Sequence, residues 1–143
     1  MNAISTCEVK DVMQCAREEA ERMGHRYIGT KHILLGILRD ETGSAAIMLS
    51  GLGVSLEAVR AAIIDHVPTH KDLRGTLGSL PVSRRARQML DLTAREAERM
   101  GTPEMDTEHL LLALLTDRNA ASAKILSDME VDYDTVQNAI AST

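Results

Sequence analysis

Apolar residues recur along this chain at three-to-four spacing in short blocks, the period of amphipathic helices rather than the alternation of strands. Val9, Val12, Met13, Ala16 and Ala20 form the first block, with Glu18, Glu21 and Arg22 on the opposite side. Thr6 precedes it as an N-cap type, and Gly24 follows where a helix C-cap favours a left-handed residue. The second block runs from Thr30 to Asp40 and is apolar nearly all round, which predicts the central buried helix. A third helix is predicted over 44–52, ended by Gly51 and Gly53, and a fourth from a cap at Ser55 to about Asp65.

The pattern then repeats. Glu19-Ala20-Glu21-Arg22-Met23-Gly24 recurs unchanged as Glu96-Ala97-Glu98-Arg99-Met100-Gly101, an offset of 77 residues. The same offset pairs Thr30 with Thr107, His32 with His109, and Leu34-Leu35 with Leu111-Leu112. It continues ungapped through Leu49/Leu126, Val54/Val131 and Val59/Val136 to Ile63/Ile140. Such self-similarity marks a duplication. The expected fold is all-α: eight helices as two tandem four-helix repeats with pseudo-two-fold symmetry. The second copy starts after a cap at Ser83, has a third helix over 120–129, and a fourth capped by Asp132 that runs to about Ala141. Between the copies, Pro68, Gly75, Gly78 and Pro81 mark a linker rather than a ninth helix. The expected organisation is one domain over 1–143, made of repeat 1 (6–66), linker (67–82) and repeat 2 (83–141). Four short helices make a thin core, so the copies are expected to pack on each other.

Composition adds to this picture. There are two Tyr and no Trp or Phe, so the core rests on aliphatic residues, which suits packed helices. The formal net charge of −5, with signs mixed along the chain, argues against a nucleic-acid partner. The apolar run 33–38 is too short to span a bilayer, so no membrane partner and a cytoplasmic location are expected. Cys7 and Cys15 would lie about 12 Å apart along one helix, too far for a disulfide.

Candidate chemistry is sparse. His32 and His109 have no partner at ligand spacing, which favours structural histidines over metal or general-base work. Gly24-x4-Gly29-Thr30-Lys31 has the wrong order for a phosphate-binding loop. Gly-x-Ser-x-Gly, Cys-x-x-Cys and His-Glu-x-x-His are absent, so no catalytic residue, metal or cofactor is expected. The run Glu18, Glu19, Glu21 reads as a solvated helix face. The methionines, Met100 and Met105 among them, read mostly as core filling, a few as an adaptable surface.

The segment Met23-Gly24-His25-Arg26-Tyr27-Ile28-Gly29-Thr30-Lys31-His32-Ile33-Leu34-Leu35-Gly36-Ile37-Leu38 resembles the signature block of Clp amino-terminal repeats, those of ClpC-type unfoldases above all. Thr107-Glu108-His109 and the leucines after it resemble the same block again. Gly43-Ser44-Ala45-Ala46, with Leu49 and Leu52-Gly53-Val54, is similar to a further family segment. The resemblance implies a non-enzymatic module that binds substrates or adaptors of a Clp-type protease. It would be either a stand-alone decoy or accessory adaptor, or a recruitment domain excised from a larger ATP-dependent unfoldase. A peptide- or small-molecule-binding regulator on the same scaffold is the alternative.

The resemblance also implies candidate phosphoarginine or peptide sites at the two helix starts, Thr30 with Lys31 and Thr107 with Glu108. A helix start offers unpaired N–H groups and a positive dipole end to a phosphate, and a carboxylate there can hold a guanidinium. Repeat 2 has this equipment, whereas Lys31 replaces the family's Glu in repeat 1. Repeat 2 departs in its turn at Thr102-Pro103-Glu104-Met105-Asp106, where Asp106 adds negative charge beside a phosphate site. Thr30 and Thr107 are expected first of all to be N-caps of their own helices.

Overall fold

Each repeat is built around one helix that is buried on nearly every side. The computed structural model describes residues 3–40, 43–73, 80–99, 101 and 107–141. Eight helices are seen among the described residues: α1 (Ala3–Arg22), α2 (Thr30–Arg39), α3 (Ser44–Gly51), α4 (Leu56–His66), α5 (Arg84–Arg99), α6 (Thr107–Thr116), α7 (Ala121–Asp128) and α8 (Tyr133–Ala141). No strand occurs among the described residues. In α2 every residue from Thr30 to Leu38 is buried, and in α6 all but Glu108 and Thr116 are. Each buried Leu or Ile of these helices contributes about 1.5–3 kcal/mol.

α1 lies on α2 and α5 on α6, while α3 packs on α6 and α7 on α2. The third helix of each copy therefore sits on the central helix of both, and the two repeats share one core. That core includes Val12, Leu35, Leu49, Ile63, Leu111, Leu126 and Val136. The backbones of α1 and α2 approach so closely that a Cβ on Gly36 would lie 2.3 Å from the Val12 carbonyl oxygen. The equivalent residue of repeat 2 is Ala113, so its first two helices tolerate the extra carbon.

Several local expectations are realised. Ser83 Oγ accepts from the Ala86 amide at 3.1 Å, and Ser55 Oγ from Ala58 at 3.1 Å. Asp132 Oδ1 accepts from the Thr135 amide at 2.9 Å, which, with the Thr135 hydroxyl, holds its carboxyl below the usual range. Gly24 and Gly101 both have φ of +75° after the first helix of their repeat. Thr6, expected as a cap, instead lies inside α1, because no breaker separates it from Ala3.

The linker residues that are described run without helix along repeat 1. His70 N donates to Met23 O at 2.9 Å and Leu73 N to Glu21 O at 2.8 Å, satisfying carbonyls at the end of α1. A Cβ on Gly24 would meet the His70 carbonyl carbon at 2.6 Å. Farther along, Val82 pairs with Ile28 in a short parallel bridge. The expectations for the Cys7 and Val9 side chains, for Gly75, Gly78 and Met100, and for segment 102–106 lie outside the described residues. Cys15 is a free thiol on α1, and burial pushes its pKa up.

Candidate functional site

The four residues singled out at the helix starts behave differently from their local reading. Thr30 is the first helical residue of α2, and the N-cap is Gly29. The Gly29 amide donates to His32 Nδ1 at 2.9 Å, so a histidine takes the capping role of the usual Glu or Gln. Freed from its own helix, Thr30 Oγ1 accepts from the Ser122 amide at 3.5 Å, at the start of α7 in the other repeat. Thr107 does the same in reverse. Its Oγ1 accepts from the Ala45 amide at 3.2 Å and bonds Ser44 Oγ at 3.3 Å, at the start of α3. The offset of 77 that relates Thr30 to Thr107 also relates Ala45 to Ser122. Each threonine thus caps a helix of the opposite repeat, and the expectation that it caps its own is corrected.

Lys31 is buried, with Nζ donating to the Tyr27 phenol at 2.7 Å. Glu108, its counterpart, is half-buried. Beside Lys31 lies a histidine chain in which every proton has a fixed place. Because His32 Nδ1 accepts from Gly29, His32 Nε2 carries the proton and donates to His25 Nδ1 at 2.8 Å. His25 Nε2 then donates to the Pro68 carbonyl in the linker at 3.0 Å. Both rings are buried and neutral. Burial, with the nearby Lys31 ammonium, drives the His32 pKa down to about 2. Burial chiefly lowers that of His25 also, with Lys31 and His70 adding to it. Histidines with both nitrogens committed are poor bases, as a structural role requires.

Of the acidic run on α1, Glu18 reaches solvent as expected, but the other two carboxylates do not. Glu19 is fully buried and Glu21 nearly so. Arg60 of α4 grips Glu19 with two bonds, at 2.9 and 2.6 Å, and Arg39 of α2 adds a third at 3.3 Å. Glu21 is paired with Arg17 at 3.3 Å. The carboxylate of Glu19 therefore ties three helices of repeat 1 together. In repeat 2 the positions of Arg39 and Arg60 hold Thr116 and Gln137.

A groove of about 1060 Å³ opens where the end of α4 meets α5, α7 and α8. Its apolar lining includes Ile63, Val67, Leu92, Leu115 and Ile125. Lys31 reaches this groove, and Arg95, Arg118 and Lys124 line it as exposed cations. Thr30 lines a neighbouring cavity of about 400 Å³. Thr107 and Glu108 line neither, so the structure divides the four expected residues rather than joining them. Nothing local in the sequence marks the groove, because its walls are brought together only when the repeats pack. Among the described residues, no group of three or more His, Cys, Asp or Glu could hold a metal ion, and no single helix is long and apolar enough to cross a membrane.

Two four-helix repeats that cap each other's helices across a pseudo-two-fold axis define a duplicated helical module with a groove at its seam. The chain belongs to the Clp repeat (R) N-terminal domain family, whose profile matches residues 5–129 and 82–143. Over 129 residues it is 33% identical to the negative regulator of genetic competence ClpC/MecB of Bacillus subtilis (strain 168). It is equally similar to the ATP-dependent Clp protease ATP-binding subunit ClpA homolog of Guillardia theta. Each alignment covers 90% of this chain but only 16% of the relative's length. Among solved structures it resembles the N-terminal domain of the chaperone ClpD from Arabidopsis thaliana, with a TM-score of 0.74 and 16% identity over 94% of this chain and 90% of the other. It also resembles the N-domain of ClpV from Vibrio cholerae, at 0.70 and 20% over 99% and 83%. A ClpV N-domain in complex with a VipB peptide matches at 0.69 and 20% over 99% and 84%. At these identities the structural likeness establishes the fold.

Proposed function

We propose that this chain is a non-enzymatic protein-binding module that recognises substrates or adaptors of a Clp-type unfoldase. The observation that carries this reading is the groove at the seam of the repeats, large, open to solvent and lined by both apolar and charged side chains. A site of this kind suits a peptide segment, with apolar contacts for affinity and a few charges for orientation. The VipB peptide complex of the ClpV N-domain supports it by fold-level analogy. The same binding activity serves a recruitment domain of a larger ATP-dependent machine and a stand-alone adaptor or decoy.

Marking of the ligand by phosphorylated arginine is the finer form of this reading. Of the four helix-start residues, the two threonine hydroxyls are committed to cross-repeat caps and the Lys31 ammonium bonds the Tyr27 phenol, so such a ligand would meet Lys31 and Glu108 as charges beside the helix starts. Calorimetry with free phosphoarginine tests that form: heat that disappears in Lys31→Ala or Glu108→Ala supports it, and no heat refutes it.

The binding reading is tested by a photocrosslinking amino acid placed at Lys124, in the groove, and separately at Ile47, its equivalent in repeat 1. With unfolded casein as the probe, crosslinks form from position 124 and are competed by unlabelled casein. Absence of crosslinks from 124, or equal yields from both positions, contradicts a specific groove.

A further inference from the structure

The duplication makes each half of the molecule a reference for the other. The groove is lined by four cations, Lys31, Arg95, Arg118 and Lys124. The repeat offset takes them to Glu108, Glu18, Glu41 and Ile47. Three cations thus face three carboxylates at equivalent positions, and the fourth faces an isoleucine. The helices, caps and glycine turns are shared between the repeats, so the scaffold is symmetric while the charge is reversed at three of these positions and absent at the fourth.

The remaining charges of the groove do not neutralise this set. Asp132, which also caps α8, keeps its charge and lies near Arg118. Asp128 and Asp134 line the groove as well, so that among the described residues four cations stand against three carboxylates, an excess of one. Arg95 and Lys124 are exposed and make no ion pair with another described residue. Lys31 sits in the wall with its ammonium against the Tyr27 phenol, where a reduced dielectric strengthens its pull on an arriving anion. Apolar side chains lie alongside, so a carboxylate and an aliphatic group can be met together.

We infer that this groove selects protein segments that combine apolar side chains with carboxylates, and disfavours segments rich in Lys or Arg. The inference rests on the protein-binding reading and names its ligand class. Apolar contacts supply most of the affinity, while Arg95, Arg118 and Lys124 steer acidic segments in and repel basic ones. The seam groove has become a basic-sided receptor, and the sequence positions related to it by the repeat offset carry no such cations.

The test uses two fluorescein-labelled amphipathic peptides of equal length and identical leucine spacing, one with Glu and the other with Lys at every polar position. Fluorescence anisotropy against the full chain at about 50 mM salt gives at least ~10-fold tighter binding of the Glu peptide, and the preference shrinks at about 500 mM. Combined Arg95→Glu and Lys124→Glu substitutions lower affinity for the Glu peptide about tenfold, and Ile47→Glu leaves it unchanged. All three positions are exposed, and circular dichroism confirms that the variants fold. Equal affinities, a preference for the Lys peptide, or indifference to the double substitution overturns the inference. So does self-association of the chain that the double substitution abolishes, which would make a second copy the occupant. If neither peptide binds while casein still crosslinks at position 124, the ligand class is wrong and the binding reading stands. Loss of both signals overturns both.

Discussion

Acidification should destabilise this protein through His32 before its carboxylates titrate. In the folded state His32 is fully buried, accepts from the Gly29 amide and donates to His25, and its pKa falls to about 2. In the unfolded chain it returns to about 6.5. The unfolded state therefore binds the proton more readily, so stability is present above pH 6.5 and is lost as pH falls below it. Between pH 7.5 and 5 the loss from His32 alone is about 2 kcal/mol, at 1.36 kcal/mol for each pH unit below 6.5. His25, whose pKa is also lowered, acts in the same direction. Geometry gives the reason: a proton added to His32 must go to Nδ1, which faces the Gly29 N–H, and one added to His25 must face the His32 N–H. His32→Gln is the comparison, because Gln at this position keeps an acceptor for the Gly29 amide yet does not titrate. Urea unfolding of both proteins at pH 7.5, 6.5, 5.5 and 5 gives the assay. The advantage of the wild type over the variant shrinks by about 2 kcal/mol across that range. Parallel pH profiles would refute the reasoning.

Three other substitutions test the architecture, each read by chemical denaturation. Thr107→Val removes the cross-repeat cap of α3 and costs about 1 kcal/mol, while Thr30→Val, with its longer bond, costs about half as much. Equal and negligible effects would mean that the reciprocal caps are incidental. Gly101→Ala costs about 1 kcal/mol for its positive φ, no described atom lying within 4 Å of the new carbon, whereas Gly24→Ala costs about 3 because the new carbon also meets the linker backbone. Equal costs would show that the linker does not dock there. Glu19→Ala loses about 2–3 kcal/mol, less than a fully buried pair because Arg60 and Arg39 remain partly solvated. A cost below about 0.5 kcal/mol would place Glu19 among ordinary surface carboxylates.

Much of the scaffold was legible because its signals are local or repeated. The ungapped offset that pairs Gly24 with Gly101 and Thr30 with Thr107 predicted two copies of one fold, and both glycines take the same left-handed conformation. Ser55, Ser83 and Asp132 cap the helices that follow them, as residue type predicts. Sequence reasoning failed where the partner is distant. Thr30 and Thr107 look like caps and are caps, but of helices in the opposite repeat. Glu19 stands in a run of charges that ordinarily faces water, and the arginines that bury it come from α2 and α4. The His25–His32 bond joins two ends of one loop, and no motif distinguishes it from a chance pair. The groove joins the end of α4 to α7 and α8, so it exists only once the two copies have packed. Comparing the copies position by position recovers part of this, since the Lys31/Glu108 and Arg95/Glu18 reversals are visible in the sequence before any contact is known.

The central claim, that the seam between the repeats is a protein-binding surface, is tested most directly by amide chemical-shift mapping of the full chain with unfolded casein as ligand. Binding at the seam shifts the amides of Ile63, Val67, Leu92, Lys124 and Ile125 together, in a saturable manner, and leaves Ile47 and Ser50 in place. Shifts confined to surfaces away from those five residues, or none at saturating casein, would contradict the account.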